Sequence, residues 1–209
     1  MEKEKKGRSD RQKIVENYER QKAILLKQGY REKAEIISVI RANVMVAVTS
    51  LPLGIAVLFV WKVFDRGSWW TQGWDTVLMW FLFILSVIMH EVLHGVAWCI
   101  GAKEGWKSIY IGMMWETLTP YCHCKKPLSP GTYLFGCLFP GMILGIGIYV
   151  AAFITGSAVL LWLSILNILG AGGDIWIAWR VRKYHTGYVL DHPMECGFLI
   201  FQKQDSNNA

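Results

Sequence analysis

The chain reads as an all-α polytopic membrane protein of about four transmembrane helices, with a short β segment on the cytosolic side between helices two and three. Three observations lead there. Of the 209 residues, 53% are hydrophobic and only 18% are charged, against about a quarter charged in soluble domains. The charge is also unevenly placed, since residues 1–41 hold 12 of the 22 Lys and Arg and 7 of the 16 Asp and Glu. The rest contains uncharged stretches long enough to cross a bilayer. A disordered chain and an ordinary soluble domain are excluded.

Ala42 to Trp61 is a run of 20 uncharged residues. At about 1.5 Å rise each, they match the roughly 30 Å hydrocarbon core. From Thr76 to Ala102 only His90, Glu91 and His94 interrupt the apolar run, and no Asp, Glu, Lys or Arg falls among the 47 residues between Lys126 and Asp174. The last stretch fits two spans, broken near Thr155-Gly156-Ser157. Helices are expected near 43–64, 77–101, 133–154 and 158–179, with kinks at Pro52 and Pro140. Gly141 and Gly145 form a G-x-x-x-G pattern expected to pack spans within the chain rather than to make a dimer.

Basic residues orient the spans. They dominate before the first span, in the 102–132 connection (Lys103, Lys107, Lys125, Lys126), and after the fourth span (Arg180, Arg182, Lys183). The positive-inside rule then places both termini in the cytosol, with Trp69, Trp70 and Trp74 at the outer interface. The opening 40 residues lack the apolar core of a secretory signal. The organisation is a charged segment at 1–41, a four-span domain at 42–183 and a cytosolic tail at 184–209. Within the first segment Ile14, Tyr18 and Leu25 share one helix face, which Gly29 would end. Its positive charge suits an anionic inner leaflet and equally a solvated helix. Five scattered cysteines, at 99, 122, 124, 137 and 196, imply no disulfide framework.

The second span carries the chemistry. His90-Glu91-Val92-Leu93-His94 is an H-E-x-x-H motif, and residues i and i+4 of a helix point to one side. Two imidazoles can thus face one metal ion, while Glu91 sits near enough to take a proton from a water the ion activates. Ionisable groups in an apolar span are costly unless partnered. The alternative is a pair of buried histidines with Glu91 as their counter-ion. A catalytic zinc commonly takes three protein ligands. Asp174 interrupts the fourth span at a depth that matches His94 to within about 3 Å, and Gly170-Ala171-Gly172-Gly173 lets a neighbouring helix approach closely. Asp174 could instead pair with Arg180 or Lys183.

With HEVLHG in a membrane helix and an Asp late in a following span, the chain resembles intramembrane zinc metalloproteases. It is more closely similar to a family of small bacterial membrane proteins of unknown function known as zincin-type peptidases. TPYCHCKKPLSPGTYLFGCLFPG (119–141), NILGAGGD (167–174) and LDHPMECGF (190–198) carry that likeness, which spans roughly residues 40 to 198. The looser similarity to site-2-type proteases implies that Asp174 is a zinc ligand and that Asn167 donates a hydrogen bond on the oxyanion side. An interhelical hydrogen bond is the other role open to Asn167. The proline usual between those two residues is absent, and Ile175 stands where those proteases have glycine.

Other groups compete. Cys122-His123-Cys124 has no second pair at finger spacing, so His123 is read as an extra ligand or substrate contact, or as part of the site's lining. Asp191, in the polar turn Asp191-His192-Pro193, is the main rival for third ligand. Ser108 to Tyr121 reads as short strands, either a hairpin to which an extended substrate adds as a strand or an amphipathic lid. The expected function is a Zn²⁺-dependent membrane-embedded endopeptidase acting on membrane or membrane-proximal proteins. Its partners would be a peptide substrate and the lipid bilayer, without nucleic acid. The competing expectation is an inactive zinc-binding adaptor or sensor, whose closed site would need His123 or Cys124 as a fourth ligand.

Overall fold

The shared face of Ile14, Tyr18 and Leu25 is buried, as their spacing predicts, along helix α1 (Glu2–Lys27). The structure is a computed structural model that describes residues 2–114, 119–193 and 195–203. The helix ends at a turn where Gly29 takes φ +82°, a conformation that glycine adopts without a Cβ penalty. The chain then forms β1 (Tyr30–Ile37), an element absent from the sequence reading. Two more strands close the chain, β4 (Tyr188–Asp191) and β5 (Cys196–Lys203). They build an antiparallel sheet in the order β1-β5-β4, with Tyr30 opposite Lys203 and Ile37 opposite Cys196. The protein is mostly helical, as expected, and this sheet adds to the one short β segment expected from the sequence.

Strand β5 is the centre of that sheet, and its faces alternate between two cores. Leu199 and Phe201 meet Tyr18 and Leu25 of α1. Phe198 and Ile200 face the other way, toward Trp98, Leu128, Tyr133 and Val181 at the end of the helical bundle. A strand covered on both sides reads as a continuous apolar run, without the alternation that reveals half-buried strands.

Among the described residues, three helices or helix runs are long and apolar enough to cross a membrane. They are α2 (Val39–Val63), α3 (Trp74–Gly101) and the stretch Pro130–Thr155. The third comprises α4 (Pro130–Pro140), a widened π-helical segment at Gly141–Gly147 and α5 (Ile148–Thr155). A fourth crossing exists if α6 (Ala158–Gly170) and α7 (Gly172–Val181) count as one span. The sequence predicts that span as a single helix, but the pair bends by 45° at the break. Ala171 at the break is flanked by Gly170 and Gly172, which offer little side-chain packing to hold a straight helix. Gly141 and Gly145 pack against Ala171 and Ile168 within the chain, as expected. At one end of the bundle Arg66 caps α5 by donating to the Phe153 carbonyl (2.7 Å), and Trp162 donates to the Trp69 carbonyl (2.6 Å). Both sheets sit at the opposite end, the second being the hairpin of β2 (Ile109–Met114) and β3 (Thr119–Cys124).

One buried carboxylate ties the first sheet to the bundle. Glu35 on β1, only 3% exposed, accepts hydrogen bonds from Arg180, from Lys183 (2.8 Å) and from the Tyr184 hydroxyl. Burial alone would raise its pKa; the bonds from Lys183, Tyr184 and Arg180 outweigh burial and hold the carboxyl at about 2 rather than 4.5. A depressed carboxylate contributes stability that is complete above its unfolded pKa and disappears as pH falls toward the folded one. The link between sheet and bundle is therefore expected to weaken between about pH 4.5 and pH 2. Acid titration of thermal stability checks this: Glu35→Gln should be less stable at neutral pH and show a flatter dependence across that window.

Candidate metal centre

Helical spacing sets the site's first half. His90 and His94 lie one turn apart on α3, and their Nε2 atoms are 3.1 Å apart. The second half arrives on α7. Asp174 places Oδ2 2.9 Å from His90 Nε2 and Oδ1 3.5 Å from His94 Nε2. Among the described residues this is the one group of three or more His, Cys, Asp or Glu side chains with donor atoms clustered for a metal, all within 4.8 Å of one another.

The donor set suits zinc. Ligands at about 2.0–2.1 Å from a tetrahedral ion lie about 3.3 Å apart, close to the observed 2.9, 3.1 and 3.5 Å. His94 is further oriented by its other nitrogen, because Nδ1 lies 2.8 Å from the carbonyl oxygen of Gly136 on α4. A carbonyl can only accept, so Nδ1 carries the proton and the Nε2 lone pair faces the other two donors. The His94 ring also stacks on Trp98, which stacks on Tyr133. Gly136 is required here: a Cβ at that position would come within 1.9 Å of the Trp98 indole nitrogen.

Helix α7 is short and separated from α6 by the bend, so its pose is fixed from outside. Near its start, Thr49 of α2 donates to the Gly172 carbonyl at 2.9 Å. A Cβ on Gly172 would lie 2.8 Å from the Val46 carbonyl oxygen, which is the close approach expected of the glycine-rich stretch. At its other end Arg180, the cation considered as a partner for Asp174, binds Glu35 instead, as does Lys183 just beyond the helix. Asp174 is left to the two histidines.

Glu91 sits beside the donors on α3, the helix against which β3 packs. The expected strands between spans two and three are present, and they extend through Cys122-His123-Cys124. Cys122 and Cys124 pack into the bundle-end core. Burial pushes both thiols up, Cys124 to about 12, and neither sulfur belongs to the donor cluster.

The remaining candidates are not drawn into the cluster. Asn167 is buried but donates its amide to the Leu163 carbonyl of its own helix at 2.8 Å. That bond is neither the interhelical one nor an oxyanion-side contact. Asp191 does not lie in a solvated turn. It ends β4 with its side chain 14% exposed, accepting from His123 Nδ1 at 2.9 Å and from the Tyr133 hydroxyl at 2.7 Å. His123 is thereby a partner of Asp191 and lies outside the donor cluster. Gly136, Tyr133 and Thr49 carry no signal in the sequence, because backbone acceptors and cross-element contacts leave no residue-type signature.

A helix presenting two imidazoles and an adjacent glutamate toward a carboxylate from another helix is an arrangement that could hold a zinc ion. The chain matches, over residues 83–189, the family described as putative zincin peptidase, and it is a member of that family. Comparison with curated proteins and with solved structures finds no match. The matched stretch contains His90, Glu91, His94 and Asp174, whereas Glu35 and Thr49, which pin α7, lie before it.

The Asp191 pairing separates its structural and coordinating roles. Asp191→Ala should keep wild-type zinc per chain while lowering thermal stability, by about 1–3 kcal/mol for the buried donors left unpaired. Elemental analysis showing zinc lost from a folded Asp191→Ala protein would return that residue to the coordination sphere.

Proposed function

We propose that the protein is a zinc-dependent, membrane-embedded endopeptidase that hydrolyses peptide bonds of membrane or membrane-proximal proteins. The observation that carries this reading is the convergence of His90, His94 and Asp174 donors beside Glu91, within a chain of the zincin-type peptidase family. His90, His94 and Asp174 would hold the ion. Zinc at such a site supplies Lewis acidity, which makes water nucleophilic at neutral pH and polarises a carbonyl.

The chain's own groups do the rest. Glu91 is the general base: its carboxylate accepts the proton that the attacking water releases and then delivers it to the leaving amine. The Gly136 carbonyl keeps His94 in the tautomer whose Nε2 can bind metal. Strand β3 packs against α3, the helix that carries Glu91. Because Tyr110 pairs with His123 and Gly112 with Tyr121, and the Lys125 N–H bonds the Ser108 carbonyl, Cys122 faces away from β2. That outer edge is the surface on which an extended substrate would align as an added strand.

Among the described residues, three or four helices long and apolar enough to cross a membrane support a multi-pass protein, and the basic flanks are the argument for cytosolic termini. Anionic lipid at that leaflet would meet the basic flanks. The adaptor reading needs a closed site with a fourth protein ligand. His123 is held by Asp191 and the Cys124 thiol lies against the Lys126 carbonyl, so nothing favours it.

Glu91→Gln tests the mechanism. In liposomes or detergent with a reporter transmembrane substrate, the variant is expected to bind zinc as wild type does and to lose cleavage by about 10²–10⁴-fold. Cleavage at the wild-type rate would eliminate Glu91 as the base.

A further inference from the structure

The oxygen that orients His94 is a main-chain carbonyl inside helix α4. In an uninterrupted α-helix such an oxygen is already occupied, because the carbonyl of residue i accepts the N–H of residue i+4. For Gly136 that residue is Pro140, which has no N–H. The next amide does not replace it: the Gly141 N–H bonds to the Leu138 carbonyl. The Gly136 oxygen therefore has no donor of its own helix at the usual position, and it turns to the His94 ring at 2.8 Å.

A second feature at the same place points to the same contact. Gly136 lacks the Cβ that would collide with Trp98, so α4 can lie close enough to α3 for a carbonyl to reach an imidazole. Both His94 and Gly136 are buried and Pro140 is fully buried, so water does not offer a substitute donor. Proline four residues after glycine thus leaves the Gly136 oxygen without its usual intrahelical donor, facing the ring that needs it.

We propose that Pro140 is a positioning residue of the metal centre: by withholding an N–H it reserves the Gly136 carbonyl for His94 Nδ1–H and so fixes the tautomer and direction of a zinc ligand. The proposal rests on the reading that His94 binds zinc. It gives a role to a proline that stands within a membrane-length helical run, where it weakens the helix that carries it. Restoring an N–H at position 140 gives the carbonyl a competing intrahelical donor, whatever the shape of the side chain that brings it.

The test measures zinc affinity of the purified full chain in detergent by competition with a chromophoric chelator. Wild type, Pro140→Ala, Pro140→Val and His94→Ala are compared, with circular dichroism and gel filtration as folding controls. Both proline variants are expected to fold and to bind zinc about 10–100-fold more weakly, the range typical for loss of a ligand's hydrogen-bond partner. The loss should be the same for both, because both restore the N–H. Wild-type affinity in either folded proline variant overturns the proposal. If His94→Ala also binds zinc as tightly as wild type, the metal reading itself fails. Should the proline variants not fold, nitrogen-15 resonances of ring-labelled histidine in zinc-loaded wild type decide. A protonated His94 Nδ1 is expected, and an Nδ1 bound to metal or without its proton overturns the proposal.

Discussion

Two imidazole nitrogens and a carboxylate held 2.9–3.5 Å apart inside an apolar bundle form the interaction on which the other features of this molecule depend. In a low-dielectric interior such groups are costly unless each is oriented and satisfied. The surrounding helices meet that demand from separate directions. Helix α3 supplies both rings on one face, α4 presents a carbonyl to His94, and α7 brings Asp174 after a break that frees it from the direction of α6. Helix α2 and strand β1 then hold α7 at its two ends. Each of these contacts joins residues far apart in sequence, so the site is a property of the whole fold.

The sheet-bearing end has a corresponding logic. Strand β5 pairs with β1 across almost the full length of the chain, and the Leu128–Val189 bridge with the His123–Asp191–Tyr133 contacts fastens β4 to the connection after α3. That connection carries β3, which packs against the helix that bears Glu91. The N-terminal segment, the C-terminal strands and the hairpin over the base are thus one mechanically continuous cap. Glu35, buried among three donors on the bundle side, connects this cap to the helix bearing Asp174. A base and a ligand on different helices are referenced to the same structural frame.

Much of this was legible in the sequence because its signals are local. Span length follows from bilayer thickness, the i, i+4 histidines follow from helical pitch, and Asp174 was placed at the site by matching depth along parallel helices. What was not legible depends on pairing between distant segments. Strand β1 shows burial mainly at Glu35, so its pattern carries no apolar alternation. Strand β5 is apolar on both faces and reads as an undefined run. Asn167 donates four residues back within its own helix, a contact open to any helical amide and without a signature in the sequence. Asp191 lies just past the last helix, where distance along the chain suggested water, yet the turn at Gly187, φ +93°, sends the chain back against the bundle. The bend at Ala171 was also missed, since glycines permit a break without specifying one.

The central claim is that one zinc ion is bound by His90, His94 and Asp174, and X-ray absorption at the zinc edge of the purified, zinc-loaded full chain addresses it most directly. The account predicts one zinc per chain, two imidazole shells with nitrogen at about 2.0–2.1 Å, oxygen donors at similar distance and no sulfur. Sulfur scattering at about 2.3 Å, or a well-folded chain that takes up no zinc, would contradict it.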